Sequence, residues 1–156
     1  MMSRVRQIFF DLERSGCISK DILLGCNEEE IFGVEKKFNC VLPVAYRDFL
    51  SVAGRSAGKL FFGTDIFYPG VLELDLATEE LFSESGRPDF YPGEAKIFCM
   101  HQGYEILFFI PGADDPPVFQ YVEGDGSITR PWSSFSDFLR GSIEDHLAQW
   151  SDLNFP

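Results

Sequence analysis

The sequence predicts an α+β domain: a central, mostly antiparallel sheet with N- and C-terminal helices packed around it. Three observations carry that prediction. Apolar residues recur at helical spacing through the first part of the chain, short apolar runs bounded by turn residues fill the middle, and helical spacing returns after Ser134. At 156 residues the chain is one domain's worth, so residues 1–156 read as a single unit. A chain of that length can bury a core without disulfides or metal ions.

The elements follow in order. Val5, Ile8, Phe9 and Leu12 lie at i, i+3, i+4 and i+7, which predicts an amphipathic helix within Ser3 to Ser15, stopped by Gly16. Asn27 ahead of Glu28-Glu29-Glu30 has the form of a capping box, with Ile31, Val34 and Phe38 as the apolar face and Lys36-Lys37 near the negative end. Pro43 opens a third helix at its first position, Tyr46, Phe49, Leu50 and Ala53 form its stripe, and Gly54 ends it. Strands are predicted at Leu60–Phe62, Ile66–Tyr68, Val71–Leu74, Ile97–Met100, Glu105–Ile110 and Val118–Val122. A short helix at Ala77–Ser85 and a proline- and glycine-bearing loop at Gly86–Gly93 interrupt them. Gly124-Asp125-Gly126 predicts a hairpin turn leading to a strand at Ser127–Thr129. Ser134 then caps a last helix with the stripe Phe135, Phe138, Leu139, Ile143, Leu147 and Trp150, which Gly141 is expected to kink or divide.

Two features of the composition stand out: 17 phenylalanines and a net charge of −12. Helical stripes assign most of the phenylalanines to the core. The charge argues against nucleic-acid and anionic-membrane partners, both of which need Lys and Arg. It is also localised. Residues 1–78 carry nine Lys/Arg against eleven Asp/Glu, whereas residues 61–129 carry thirteen acids against only Arg87 and Lys96. The N-terminus lacks the apolar segment of a secretory signal, and the longest apolar run, Ile106–Ile110, is far too short to span a bilayer, so a cytoplasmic protein is expected. Cys17, Cys26, Cys40 and Cys99 have irregular spacing without a C-x-x-C pair, which predicts free, mostly buried thiols.

Several motifs imitate active sites. Gly54-Arg55-Ser56-Ala57-Gly58 has the letters of a nucleophile elbow, but a helix precedes it and a strand is predicted to follow, the reverse of what an elbow requires. Gly54 to Lys59 falls one residue short of a phosphate-binding loop and has Leu60 where a hydroxyl belongs. Cys99 and His101 alternate on one strand, yet two ligands do not make a zinc site. Asp114-Asp115-Pro116-Pro117 places two acids in a stiff loop, read as either solvated or used for recognition. Phe67-Tyr68, beside Asp65 and the Pro69-Gly70 turn, are read as either exposed interface aromatics or partly buried ones.

Four blocks carry a family resemblance. Phe38-Asn39-Cys40-Val41-Leu42-Pro43-Val44-Ala45-Tyr46-Arg47-Asp48-Phe49-Leu50 resembles the signature of the SUKH superfamily, the Smi1/Knr4-like proteins, with Asn39 where glycine is common. Phe98-Cys99-Met100-His101-Gln102-Gly103-Tyr104, Asp115-Pro116-Pro117-Val118 and Ser136-Asp137-Phe138-Leu139 resemble one bacterial branch, and the resemblance spans about residues 28–145. It implies an α+β fold, a non-enzymatic binding role without cofactor or metal, and turn geometry for His101 and Gly103. Many bacterial members are similar to immunity proteins that bind and block a toxin, often a nuclease.

An acidic binder complements the basic phosphate-holding surface of such a toxin. Charge and aromatic content then select Asp65, Phe67, Tyr68, Glu73, Asp114, Asp115, Tyr121, Glu123 and Asp125 as candidate partner-binding residues. The alternative function is a scaffold or regulator bound to a cellular protein. A small hydrolase using Ser56, or Cys99 with His101, ranks last.

Overall fold

A computed structural model describes residues 2–154 of the protein. In chain order the elements are α1 (Arg4–Arg14), β1 (Leu23–Leu24), α2 (Glu28–Phe38), α3 (Val44–Ala53), β2 (Ser56–Ala57), β3 (Thr64–Asp65), α4 (Leu74–Ser85), β4 (Lys96–His101), β5 (Glu105–Phe109), β6 (Val118–Val122), β7 (Thr129–Trp132) and α5 (Phe135–Trp150). Short 3-10 turns at Lys20–Ile22 and Gly70–Glu73 precede β1 and α4.

Local chemistry sets the helix ends. The Ser3 side chain accepts the Arg6 N–H at 3.2 Å and caps α1. Asn27 and Glu30 form a full capping box, each side chain accepting the other's backbone N–H, at 2.8 and 2.9 Å. Asn39 closes α2 in the left-handed region, φ 53° and ψ 46°, which asparagine tolerates better than most residues other than glycine. The Ser134 hydroxyl accepts the Asp137 N–H at 3.1 Å and starts α5, which runs unbroken through Gly141. Pro43 sits one residue earlier than expected, in the capping position before Val44.

Five strands form one antiparallel sheet in the order β3-β4-β5-β6-β7, and β1 pairs with β2 in a separate two-stranded ladder. The fold is therefore the expected α+β arrangement. Alternation along β5 sorts the core onto two faces. Leu107 and Phe109 face α3 and α5, where Phe109 meets Tyr46 at 5.3 Å between ring centroids. Phe108 and the Ile106–Tyr121 pair face the other side, where Tyr91 lies 5.6 Å from Phe108 and Phe82 of α4 lies 5.7 Å from Tyr121. Ten of the 16 phenylalanines among the described residues are buried, in line with the composition reading.

The segment from Leu60 to Leu74 departs from the sequence prediction. Leu60–Phe62 is a turn in which buried Phe61 adopts φ 62°. The strand expected at Ile66–Tyr68 is instead the two-residue β3 just before it. Val71–Leu74 is a 3-10 turn running into α4, because Val71, Leu74, Thr78, Leu81 and Phe82 are buried together at helical spacing. An apolar run of three or four residues cannot by itself distinguish a strand from one turn of helix. The strand predicted at Ser127–Thr129 begins at Thr129 and includes Pro131, which β7 accommodates as an edge strand. Gly54 ends α3 without a left-handed conformation, at φ −64°. A Cβ there would lie 2.5 Å from the Leu50 carbonyl and 2.6 Å from the Cys26 sulfur, so close packing excludes a side chain. All four cysteines are free, with Cys26 and Cys99 buried and the other two half-buried.

Tyr46 joins the layers. Its ring lies within 5.3 to 6.4 Å of Phe38, Phe49, Phe98, Phe109 and Phe135, from α2, α3, β4, β5 and α5. Its hydroxyl is fully buried and makes no hydrogen bond to the protein. Burial pushes the phenol far above its ordinary range, with the neighbouring Cys26, Cys99 and Cys40 thiols adding to the shift. An unsatisfied buried hydroxyl costs about 1–3 kcal/mol, so Tyr46→Phe should leave stability unchanged or raise it by about 1 kcal/mol in urea unfolding. Above about pH 10 the unfolded phenol ionises while the native one stays protonated, so Tyr46 draws the chain toward unfolding as pH rises. The phenylalanine variant should therefore unfold at a higher pH than the unchanged chain, and coincident alkaline transitions would contradict this account.

Candidate functional site

Ion pairing is sparse along the whole chain and sparsest across residues 61–129. Of the eight acids before residue 61, three pair with cations from other segments among the described residues, Asp48 with Arg6 at 3.2 Å, Glu35 with Arg47 at 2.6 Å, and Glu30 with Arg55, and five do not. Among the thirteen acids of residues 61–129, only Asp75 and Glu79 form ion pairs with described residues, to Lys37 and Arg87, each at 3.1 Å. All thirteen are exposed except Glu105 and Asp115, which are half-buried. The excess negative charge of the sequence is thus surface charge that the protein does not itself neutralise.

The nine candidate residues do not gather into one patch. Tyr121 is only 2% exposed, its ring edge-on to Phe82, so it offers no surface to a partner. Phe67 is half-buried, stacked at 6.4 Å on Phe49 and edge-on to Phe61. Tyr68 is also half-buried, with the Arg55 guanidinium 5.3 Å from its ring centroid. The aromatic pair is therefore largely absorbed by packing. Asp115 is structural: its carboxylate accepts the Ser136 N–H at 2.9 Å and the Ser136 hydroxyl at 2.6 Å, in the first turn of α5. The Asp114 carbonyl accepts the Ala45 N–H at 2.9 Å in the first turn of α3, while its side chain stays exposed. One loop thus holds the N-terminal ends of two helices, where negative charge is favoured.

Asp65, Glu73, Asp114, Glu123 and Asp125 remain exposed. Sheet topology separates Asp114, in the β5–β6 loop, from Glu123 and Asp125, in the β6–β7 turn at the other end of the sheet. The five residues of β5 set that separation at about 17 Å. At the Glu123 end, the backbone draws three segments together. The Glu123 N–H donates to the Tyr104 carbonyl at 2.8 Å, and the Asp89 N–H donates to the Gly126 carbonyl at 3.4 Å. Tyr104, 39% exposed, flanks the β4–β5 turn, which is made by Gln102 and Gly103 at φ 51° and 79°. Asp65 stands nearby on edge strand β3, whose Thr64 pairs with His101 beside that turn. Asp65, Asp89, Glu123 and Asp125, with Tyr104 among them, make this turn end of the sheet the candidate protein-binding surface. Arg130, on β7, is the cation that follows it in the chain. Asp89 and Tyr104 were not among the sequence candidates. The glycine of the β4–β5 turn was visible in sequence, but the contact between residues 89 and 126 left no local signal.

The same region shows what chemistry the decoy motifs can support. Cys99 is fully buried, and burial, with help from Glu105 and Asp65, raises its thiol well above the ordinary range. That disfavours the thiolate a nucleophile needs. His101 Nδ1 lies 2.8 Å from the Thr64 hydroxyl oxygen. Ser56 is on β2, paired with Leu24, so no strained strand-to-helix turn presents it. Among the described residues, no group of three or more His, Cys, Asp or Glu side chains is placed to hold a metal ion, and no helix is long and apolar enough to cross a membrane.

The family model of the SMI1 / KNR4 family (SUKH-1) matches residues 25–141, from just before α2 into α5. No curated protein matches the chain.

The Asp115 contacts predict a clean separation between neighbouring carboxylates. Asp115→Ala should destabilise the fold by about 1–3 kcal/mol, since it removes a charge-assisted cap and leaves the Ser136 N–H without its acceptor. Asp114→Ala should stay within about 0.5 kcal/mol of the unchanged chain. Equal urea midpoints for the two variants would refute the assignment.

Proposed function

The chain belongs to the SMI1 / KNR4 family (SUKH-1), and from that premise we propose that it is a non-enzymatic binding protein. It acts as an immunity protein that neutralises a basic, nuclease-like toxin in the cytoplasm. The observation that carries this reading is the acidity of residues 61–129, thirteen acids against two cations, of which only Asp75 and Glu79 are ion-paired among the described residues. Like charges held on a rigid sheet end repel one another, and a cationic partner relieves that repulsion on docking. The same field speeds encounter, while desolvated aromatic contacts slow dissociation. A buried, protonated Cys99 and a Ser56 outside any elbow support a binding role over a hydrolytic one.

The experiment pairs this chain with the product of the adjacent gene. Co-expression should rescue growth from a toxic neighbour, and the two proteins should co-purify. The association rate should fall steeply as ionic strength rises. The triple variant Asp89→Lys, Glu123→Lys, Asp125→Lys should associate more slowly by about tenfold or more at low salt. Binding that is indifferent to salt and to these charges would sink the acidic-face reading. A partner that persists in cells without any toxin gene would instead favour a scaffold or regulatory role.

A further inference from the structure

A groove of about 540 Å³ lies between α5 and the sheet face bearing Leu107, with His101 and Gln102 at the β4–β5 turn among its lining residues. The β4–β5 hairpin supplies His101 and Glu105, α5 supplies Asp145, His146 and Trp150, and β7 supplies Trp132. No lysine or arginine is among its lining residues. Its volume falls within the usual range of ligand sites.

Three properties define what fits it. Glu105 is half-buried, accepts a 2.8 Å hydrogen bond from the Gln120 side chain, and has no ion-pair partner among the described residues. Asp145, on the α5 wall, likewise has none and is exposed. Aromatic rings line the same groove as the two carboxylates. Phe62 is 62% exposed and stands edge-on to Trp150 at 6.1 Å, and His146 stacks on Trp150 at 5.5 Å. The Trp150 ring already attracts a cation of this chain, as the Lys59 ammonium lies 5.7 Å from its centroid. Unpaired carboxylates beside indole and phenyl rings match a planar cation, which stacks on rings and forms paired hydrogen bonds to a carboxylate.

We propose that this groove receives an arginine side chain of the basic protein partner, with Glu105 and Asp145 holding the guanidinium and Trp150, Trp132 and Phe62 packing against it. The identity of the partner rests on the proposed function. The groove adds the anchor that the turn-end acids lack, because charge at an exposed rim sets encounter rate and a desolvated arginine sets lifetime.

The chain's two tryptophans both line the groove, so intrinsic fluorescence reports its occupancy directly. The probe is a capped Gly-Arg-Gly-Arg-Gly peptide, with a citrulline peptide of equal shape and no charge as control. The arginine peptide should give a saturable change and the citrulline peptide none. The Glu105→Gln, Asp145→Asn double variant, checked for unchanged circular dichroism, should bind about tenfold more weakly or worse, which corresponds to about 1.4 kcal/mol. The Glu123→Gln, Asp125→Asn pair, outside the groove, should retain the saturable change. An equal response to citrulline, no response to arginine, or full binding by the groove double variant would overturn the assignment. Failure of the peptide titration removes the groove and leaves toxin neutralisation standing. Failure of rescue by co-expression removes that function without touching the titration.

Discussion

The burial of one tyrosine ring sets the geometry of the whole molecule. Tyr46 meets aromatic side chains from α2, α3, β4, β5 and α5 at once, so helices and sheet cannot shift independently. Phe98 extends the cluster, touching Phe135 at 5.2 Å and Phe138 at 5.4 Å. Large flat side chains supply much contact area with few rotatable bonds, which suits a core shared by several elements. The hydroxyl is the exception inside this cluster. It carries a desolvation cost that the surrounding rings offset, not one that a hydrogen bond relieves.

A rigid core frees the surface for electrostatics. In the early helices a few acids pair with cations from other segments, and one such pair also fixes packing: Arg47 holds Glu35, whose other contact is the Leu42 N–H at 3.2 Å. The later chain has few cations to do the same, so its carboxylates face water. Isolated surface pairs add little stability in any protein. Leaving acids unpaired therefore costs the fold little and gives the surface a field of one sign. That excess of one sign lies within the stretch that the SMI1 / KNR4 family (SUKH-1) model matches.

The legible parts of the fold were those written locally. The capping box at Asn27, the stripe through Tyr46 and Phe49, and the Ser134 cap lie within a few residues of what they specify, and each helix followed. The strands from Lys96 to Val122 were legible because their apolar runs are longer and bounded by turns. Leu60–Leu74 failed because short apolar runs look alike whether they pair in a sheet or turn onto it. The site was legible in its charge and not in its layout. Asp115 reads like Asp114 until a serine 21 residues away claims its carboxylate. Tyr121 has the side chain of an interface residue, but pairing with Ile106 turns it inward. The groove needed α5 laid across the sheet before Glu105 and Asp145 could be neighbours of one cavity.

The order of these elements along the chain has a consequence during synthesis. The sheet face carrying Leu107 and Phe109 is complete once β7 has emerged, but its cover, α5, follows it in the chain. Beyond it, Leu153 docks by donating to the Cys17 carbonyl and accepting from the Lys59 N–H, at 2.8 and 3.0 Å. Until residues 135–153 have left the ribosome, a wide aromatic surface stays open to water and to other nascent chains. At a few to about twenty residues per second that interval lasts on the order of a second or more, long enough for aggregation to compete with folding. Abundant negative charge on the exposed middle of the chain opposes association of such intermediates by mutual repulsion, so the acidity of residues 61–129 also guards the incompletely folded chain.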